Sequence, residues 1–195
     1  MNAFSLGENK ETFEALIKAY SEKHRAYHTW EHIAACLKHL DAVRDQADNP
    51  HEIELALWFH DAIYKPFSAT NEKDSAIWAQ EFFELNGYED DEVIARVFDL
   101  IMVTEHTGKA LTNDAKLMID IDLSILGTPP DVYDQFEKDV RFEYKRVPKF
   151  IFKKKRREIL QEFLDRDPIY RNGYFKDQLE TQARLNLSTA IKSLS

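Results

Sequence analysis

Residues 55–64 read Leu-Ala-Leu-Trp-Phe-His-Asp-Ala-Ile-Tyr, so an imidazole, His60, stands beside a carboxylate, Asp61, within an apolar run. Burying a polar group without a partner costs about 2–7 kcal/mol, and burying a charge costs more. A divalent cation shared by the two side chains would offset that cost. We therefore predict a central buried helix over residues 51–64 with a metal site at its His-Asp pair. The alternative is a hydrogen-bonded structural pair.

The composition indicates a folded chain without disulfides. The 195 residues are 44% hydrophobic and carry a formal net charge of −9, which disfavours nucleic acid as a partner. Cys36 is the single cysteine, which excludes a disulfide framework and a multi-cysteine zinc site and suits a cytoplasmic setting. We identify no signal peptide and no apolar run near the roughly 20 residues of a membrane span, so we expect no membrane partner. A homo-oligomer is left open.

Long stretches without breaks favour helices throughout the chain. Only 5 Gly and 6 Pro occur, and apolar residues recur with helical spacing between them. We predict an all-α fold in a single domain over residues 1–195, with the metal-site core at about 20–127 and a C-terminal extension at about 130–195. Gly87 is expected to end one helix in a left-handed conformation. The predicted helices cover residues 11–24, 30–47, 51–64, 72–86, 90–104, 113–127, 131–146, 148–165 and 175–193.

Two more side chains complete a candidate ligand set. His32 lies near the start of the second predicted helix, and Asp122 interrupts an apolar helical stretch. Adjacent residues on an ideal helix point about 100° apart, so the neighbouring His and Asp can share a metal only between helix axes, as in a helical bundle. The residues leave two alternatives open, His28 in place of His32 and Asp120 in place of Asp122. A mixed nitrogen and oxygen site suits Mn, Fe, Mg, Ni, Co or Zn.

Five short motifs carry a family resemblance. They are Tyr27-His28-Thr29-Trp30-Glu31-His32-Ile33, Leu57-Trp58-Phe59-His60-Asp61, Asn71-Glu72-Lys73-Asp74-Ser75-Ala76, Asp120-Ile121-Asp122-Leu123-Ser124-Ile125-Leu126-Gly127 and Arg141-Phe142-Glu143-Tyr144. Their order and flanks, over about residues 20–150, resemble the HD superfamily of metal-dependent phosphohydrolases, in particular a bacterial subgroup of unassigned substrate. The resemblance implies an HD-domain-like helical bundle with additional C-terminal helices. It also implies a divalent cation held by His32, His60, Asp61 and Asp122, with Asp120 orienting a histidine.

The resemblance further implies hydrolysis of a phosphate ester by a water that the cation activates. Asp61 and Glu72 are the candidate catalytic residues, and Glu72 would orient or deprotonate the attacking water. The alternative for Glu72 is a plain carboxylate at a helix start. The candidate substrate-binding residues are His28, Lys73, His106 and Arg25. For Lys73 and Arg25 the alternative is a solvated surface position, and for His106 it is a second metal.

The number of histidines bears on how many cations the site holds. Two-metal members of the superfamily that the motifs resemble use additional histidines between the His-Asp pair and the last Asp. Only His106 lies in that interval here, so the resemblance implies one cation per chain. The predicted function is a phosphomonoesterase or phosphodiesterase that acts on a small phosphorylated metabolite, with nucleotides among the candidates. The alternatives are an HD-type ligand-binding or regulatory module without turnover and, disfavoured by the same histidine count, a di-iron oxygenase on this scaffold. The basic run at residues 153–157 is interpreted as a solvated helix face.

Overall fold

A computed structural model describes residue 4 and residues 9–106 and 111–194. Within these residues the structure contains nine α-helices and no strand, which confirms the all-α prediction. None of these helices is both long and apolar enough to cross a bilayer. The helices are α1 Lys10–Tyr20, α2 Trp30–Val43, α3 Pro50–Phe59, α4 Asn71–Leu85, α5 Asp91–Met102, α6 Asn113–Asp122, α7 Pro130–Glu143, α8 Lys149–Leu164 and α9 Gly173–Ser193. Short 3₁₀ segments follow α2, α5 and α6 at Arg44–Gln46, Val103–Glu105 and Leu123–Gly127.

The chain divides into two compact units, residues 1–119 and residues 120–195. The division falls inside α6, which is one continuous helix. The single-domain organisation, with a core ending near residue 127, stays a prediction. In the first unit α3 contacts α2, α4 and α5. Helix α3 is apolar on nearly all sides, and Ile53, Ala56 and Leu57 have no exposed surface, as expected for a helix at the centre of a core.

Polar contacts hold the start of α3. Pro50 occupies the first turn, where its missing N–H costs no hydrogen bond. The carboxylate of Asp114 accepts the backbone N–H groups of Asp48 at 2.7 Å and Asn49 at 2.8 Å. Glu52, which is 6% exposed, pairs with Arg96 of α5 through two hydrogen bonds of 2.7 and 2.8 Å. A buried carboxylate needs such a partner, so these contacts fix the position of α3 within the first unit.

The second unit is organised around the close approach of α9 to the 3₁₀ segment Leu123–Gly127. The side-chain amide of Asn186 donates to the carbonyls of Leu126 at 2.8 Å and Thr128 at 2.9 Å. Gly127 lies directly against the backbone of Leu179, where a larger residue would not fit. These contacts tie the end of α6 to α9.

The basic run on α8 divides between structural and exposed positions. Arg156 is largely buried and pairs with Glu137 of α7 at 2.7 Å. Lys155 pairs with Glu158 on its own helix at 2.8 Å, while Lys154 and Arg157 are exposed. The interpretation as a solvated helix face therefore holds for the exposed members and not for Arg156, which joins two helices.

Several predicted helix ends agree with the structure, and one that matters for the site does not. Gly87 has φ +65°, the left-handed conformation expected after the fourth helix. The carboxylate of Asp90 accepts the N–H groups of Glu92 and Val93 at the start of α5. The helix predicted over 51–64, however, ends at Phe59, and His60 is its C-cap. The His-Asp pair therefore lies at the end of α3 and in the turn after it, rather than inside a helix.

Asp120 has a different role from the one predicted. Its carboxylate, which has no exposed surface, accepts the backbone N–H groups of Arg171 at 2.8 Å and Asn172 at 2.6 Å. These residues immediately precede α9, and Asn172 caps it. Burial raises the pKa of Asp120 to about 6, although the N–H groups of Asn172 and Arg171 act in the opposite direction. Asp120 thus fixes the start of α9 instead of orienting a histidine.

We expect Asp120→Asn to lower the free energy of unfolding by about 1–3 kcal/mol, because an amide NH₂ would face backbone donors that need an acceptor. The folded pKa of the wild-type group lies above its ordinary value of 3.8. The native state therefore binds more protons than the unfolded chain between that value and about 6, and wild-type stability falls as the pH rises through this window. Urea unfolding of both proteins at several pH values measures the two effects. The difference in the free energy of unfolding between wild type and Asp120→Asn should narrow as the pH rises. The control variant Asp134→Asn, at an exposed position on α7, should show neither effect.

Candidate metal centre

His32 enters the site from the first turn of α2. Thr29 is the N-cap residue of that helix and has an extended backbone. His32 therefore lies one turn from a helix N-terminus, and it is 6% exposed. Its ring is packed 4.8 Å from the ring of Tyr27, measured between centroids. The position predicted for His32 at the start of the second helix is where the structure has it.

His60 enters from the C-cap of α3 and is 1% exposed. Its Nδ1 lies 2.8 Å from the carbonyl oxygen of Leu57. A carbonyl oxygen can only accept, so Nδ1 carries a proton, and in the neutral form of the ring the lone pair is on Nε2. A second ring nitrogen that donates to a backbone carbonyl is the usual arrangement for a metal-binding histidine.

The Nε2 atom of His60 faces two further polar atoms. It lies 3.2 Å from Nε2 of His32 and 3.0 Å from Oδ2 of Asp61. The same carboxylate oxygen lies 3.5 Å from Nε2 of His32. Three atoms that can bind a metal therefore surround one point in a largely buried setting, and in their unprotonated forms they repel one another unless a proton or a metal cation lies between them. The structure thus brings His32 next to His60 and Asp61, which are neighbours in the sequence.

Asp122 joins this cluster from the last residue of α6. One ligand atom each from His32, His60 and Asp122 lies within 4.8 Å of the other two. Ligand atoms about 2.1 Å from a cation lie about 3–4.2 Å apart in tetrahedral or octahedral geometry. The cluster can therefore hold a metal ion with small adjustments, and its two nitrogens and one oxygen suit a divalent cation. Of the two acids left open by the sequence, Asp122 is the one beside the histidines.

The charge state of Asp61 fits a role as a ligand. Burial acts to raise the pKa of Asp61, but the imidazoles of His60, His28 and His32 outweigh it and hold the pKa well below its ordinary value. The carboxylate is therefore ionised at neutral pH. An ionised acid with one oxygen next to both histidines adds a fourth donor group to the cluster.

The turn that carries His60 and Asp61 is fixed through its carbonyl groups. Carbonyls at the end of a helix and in the turn after it need partners outside the helix. Residues from the end of α1 and the following loop supply four of them, one to the helix end at Trp58 and three to the turn. The contacts are Tyr20 Oη to Trp58 O at 2.9 Å, Arg25 to Asp61 O at 2.7 Å and to Ala62 O at 2.9 Å, and His24 Nε2 to Tyr64 O at 2.8 Å.

Arg25 occupies neither of the positions predicted for it. Its side chain has no exposed surface, so it is not a solvated group. Four of its five N–H donors are engaged by Glu22 and by three backbone carbonyls. A guanidinium in this position is not available to substrate phosphate, and the prediction that Arg25 binds substrate finds no support in this geometry.

His28 remains beside the cluster. Its ring stacks on the ring of Tyr64 with centroids 4.0 Å apart and an angle of 24° between the planes. The ring of His32 lies 6.3 Å away. His28 is partly exposed, so it forms part of an aromatic wall next to the candidate metal ligands, and its role as a substrate contact stays a prediction.

Glu72 lies in the first turn of α4 and is half-buried. Burial raises the pKa of Glu72, the charges of Asp61 and Glu105 add to this, and its own backbone N–H and His106 act in the opposite direction. The side chain is thus close enough to Asp61 and His106 to feel their charges. His106 has φ 57°, a left-handed conformation that histidine adopts more readily than most residues. Lys73 is exposed.

Sequence reasoning missed two neighbours of the candidate ligands. Tyr64 was part of the apolar run and looked like a core residue, yet its ring carries the stacking contact with His28. Cys36 is buried, as expected for a small core residue, but its Sγ also lies 3.7 Å from Nδ1 of His32. The spacing of four residues between His32 and Cys36 on one helix is the signal that places them on one face.

The comparisons with known proteins add no relative. None of the family models, curated proteins or solved structures compared with this chain matches it. The resemblance to the HD superfamily therefore stays a prediction from its motifs.

Proposed function

We propose that this protein is a metal-dependent phosphohydrolase, a phosphomonoesterase or phosphodiesterase acting on a small phosphorylated metabolite. The observation that carries the proposal is the cluster of His32, His60 and Asp122, whose ligand atoms lie within 4.8 Å of one another, with a carboxylate oxygen of Asp61 3.0 Å from His60. Two imidazoles and two carboxylates supply the nitrogen and oxygen ligands that a divalent cation prefers. The proposed occupancy is one cation per chain.

The four side chains would hold the cation and leave positions for water and substrate. A cation in such a site lowers the pKa of a coordinated water and neutralises charge on a phosphoryl oxygen. Asp61 is ionised, and its oxygen next to His60 would keep the cation at the end of α3. The Nδ1–H of His60, donated to Leu57, holds the ring so that Nε2 points at the site.

Glu72 is the proposed base. It is half-buried, feels the charge of Asp61 and has a raised pKa, so its carboxylate accepts a proton more readily than a solvated one. A base in this position takes the proton of the attacking water while the phosphorus–oxygen bond to the leaving group breaks. His28 and His106 are the proposed substrate contacts, because both lie close to Asp61 or Glu72 and neither is fully buried.

The experiment that tests the function is phosphate release from a panel of nucleotides, sugar phosphates and phosphodiesters, with Mn²⁺ or Co²⁺ added and with EDTA. We expect turnover of at least one class only when metal is present, and no turnover by His60→Ala at equal protein concentration. Metal binding without release from any substrate would contradict the hydrolase and favour a binding module. Consumption of oxygen by an iron-loaded sample would favour the oxygenase.

We expect Glu72→Gln to lower kcat about 10²–10⁴-fold while metal affinity changes less than threefold, because a base is lost and no ligand is removed. Steady-state kinetics and a Mn²⁺ titration measure the two quantities. The matched control is Glu81→Gln, the same change at an exposed position on α4, which should alter neither quantity. Loss of metal together with rate in Glu72→Gln would show that Glu72 is a ligand or supports one.

A further inference from the structure

We propose that Arg25 is a positioning residue, which holds the turn carrying His60 and Asp61 against the segment that leads to His28 and His32. This inference rests on the proposed metal site. Arg25 touches no ligand atom; it acts through the backbone of the residues that carry them.

Aromatic rings and hydrogen-bond acceptors enclose the side chain of Arg25. Its guanidinium lies over the rings of Tyr20 and Tyr64, 5.3 and 5.4 Å from their centroids. Among the residues that the structure describes, Glu22 is the only carboxylate that bonds it, at 3.1 Å. Removing a cation from water is costly unless polar partners replace the water, so a guanidinium with no exposed side-chain surface must be matched closely by what surrounds it.

The matching groups are carbonyls from two separate segments. One terminal nitrogen donates to His28 O at 3.1 Å and to Asp61 O at 2.7 Å, and the other donates to Ala62 O at 2.9 Å. The carbonyls of residues 61 and 62 lie just beyond the end of α3, where a cation is favoured by the helix dipole. A planar guanidinium can bridge these three oxygens at once, which the single ammonium of lysine cannot do in the same geometry.

Fixing these carbonyls fixes the ligands. The carbonyl of Asp61 belongs to the same residue as the carboxylate that lies 3.0 Å from His60. The carbonyl of His28 belongs to the loop that enters α2 four residues before His32. Metal–ligand distances tolerate errors of only about 0.2 Å. A shift of the turn relative to the loop by a few tenths of an ångström would therefore spoil the site without unfolding the first unit.

A purely structural role makes a different prediction, and Arg96 supplies the control. Its guanidinium bonds the buried carboxylate of Glu52 at 2.7 and 2.8 Å, in the first turn of α3 and at the opposite end of that helix from residues 61 and 62. Arg96→Lys makes the same exchange of residue types and weakens this pair. If Arg25 only stabilised the fold, variants of Arg25 and Arg96 with equal losses of thermal stability would bind metal equally well.

The test is a Co²⁺ titration of the full chain, followed by the visible d–d absorption, for wild type, Arg25→Lys and Arg96→Lys. We expect Arg25→Lys to weaken the Kd for Co²⁺ about 10–100-fold, the range for residues that orient metal ligands, and to alter the absorption band. Arg96→Lys should stay within threefold of wild type with an unchanged band. Glu22→Gln is a milder variant, because it changes only the half-exposed carboxylate that accepts from Nε of Arg25. It should weaken Co²⁺ binding threefold to tenfold.

The outcomes separate this inference from the proposed function. Wild-type affinity and an unchanged band in both Arg25→Lys and Glu22→Gln would overturn the positioning role, whatever the hydrolase assays give. If the Arg25→Lys protein fails to fold, the Co²⁺ titration of Glu22→Gln decides whether Arg25 has a positioning role. Wild-type protein that binds no Co²⁺ would overturn both proposals. Wild-type protein that binds Co²⁺ and loses it on Arg25→Lys, yet hydrolyses nothing, would support the positioning role and contradict the hydrolase.

Discussion

His60→Ala is expected to abolish divalent-metal binding, with a loss of more than about 100-fold in the Kd for Mn²⁺ or Co²⁺. Changes to residues that merely orient a ligand cost about 10–100-fold, and His60 is itself a proposed ligand, 3.2 Å from His32 and 3.0 Å from Asp61. The proposed phosphohydrolase activity should disappear with the metal. Calorimetric titration of metal into purified protein, together with metal analysis, measures the loss.

The effect of His60→Ala on metal binding can also be measured through thermal stability. A ligand at 100 times its Kd stabilises the native state by about 2.7 kcal/mol, so added metal should raise the Tm of wild type and leave the Tm of His60→Ala unchanged. The control is His51→Ala, which removes an exposed imidazole from the first turn of the same helix and should keep both the affinity and the shift in Tm. Full metal occupancy in His60→Ala would remove the basis of the proposed function.

The second large effect is expected from Gly127→Ala. A Cβ on Gly127 would lie 2.5 Å from Cβ, 2.8 Å from the carbonyl oxygen and 3.0 Å from Cα of Leu179. Two of these atoms belong to the backbone of α9, so no rotation of a side chain relieves the contact. Overpacking a tight interface costs about 1–3 kcal/mol and sometimes more, and we expect the upper end, which corresponds to a fall in Tm of about 6–12 °C in a chain of this size.

The matched control for that change is Gly173→Ala. Gly173 is the first residue of α9, and a Cβ there would meet no atom within 4 Å. We expect Gly173→Ala to be neutral or to stabilise the protein by about 0.4–1 kcal/mol, because alanine restricts the unfolded chain more than glycine does. Thermal unfolding followed by circular dichroism compares both variants with wild type. Equal melting of Gly127→Ala and wild type would mean that α9 can move away from the 3₁₀ segment.

Helix positions could be predicted wherever the signal is local. Gly87 adopts the left-handed conformation that ends α4, and Asp90 caps α5 with its own side chain. Both effects act over a few residues, so they can be inferred from the residues themselves. The all-α class follows from the same kind of reasoning, since the period of the apolar residues depends only on neighbours along the chain.

The end of α3 shows where local reasoning stops. Residues 62–64 continue the apolar run without glycine or proline, so the pattern predicts that the helix continues to residue 64. The structure ends the helix at Phe59. The carbonyl of Trp58 accepts a hydrogen bond from Tyr20, and carbonyls of the turn that follows accept hydrogen bonds from Arg25 and His24. These donors lie 36 to 40 residues earlier in the sequence. Partners so distant in sequence leave no trace in the local pattern.

The candidate site likewise has a part that the sequence predicts and a part that only the tertiary structure decides. An ionisable pair inside an apolar run is costly to bury, and that cost was sufficient to single out His60 and Asp61 before any contact was known. Asp120 and Asp122 interrupt one helix two residues apart and look alike in sequence. In space Asp120 binds the backbone before α9, whereas Asp122 lies with the histidines. A change of two positions turns a residue about 200° around a helix, and only the packing around α6 decides what each side of it meets.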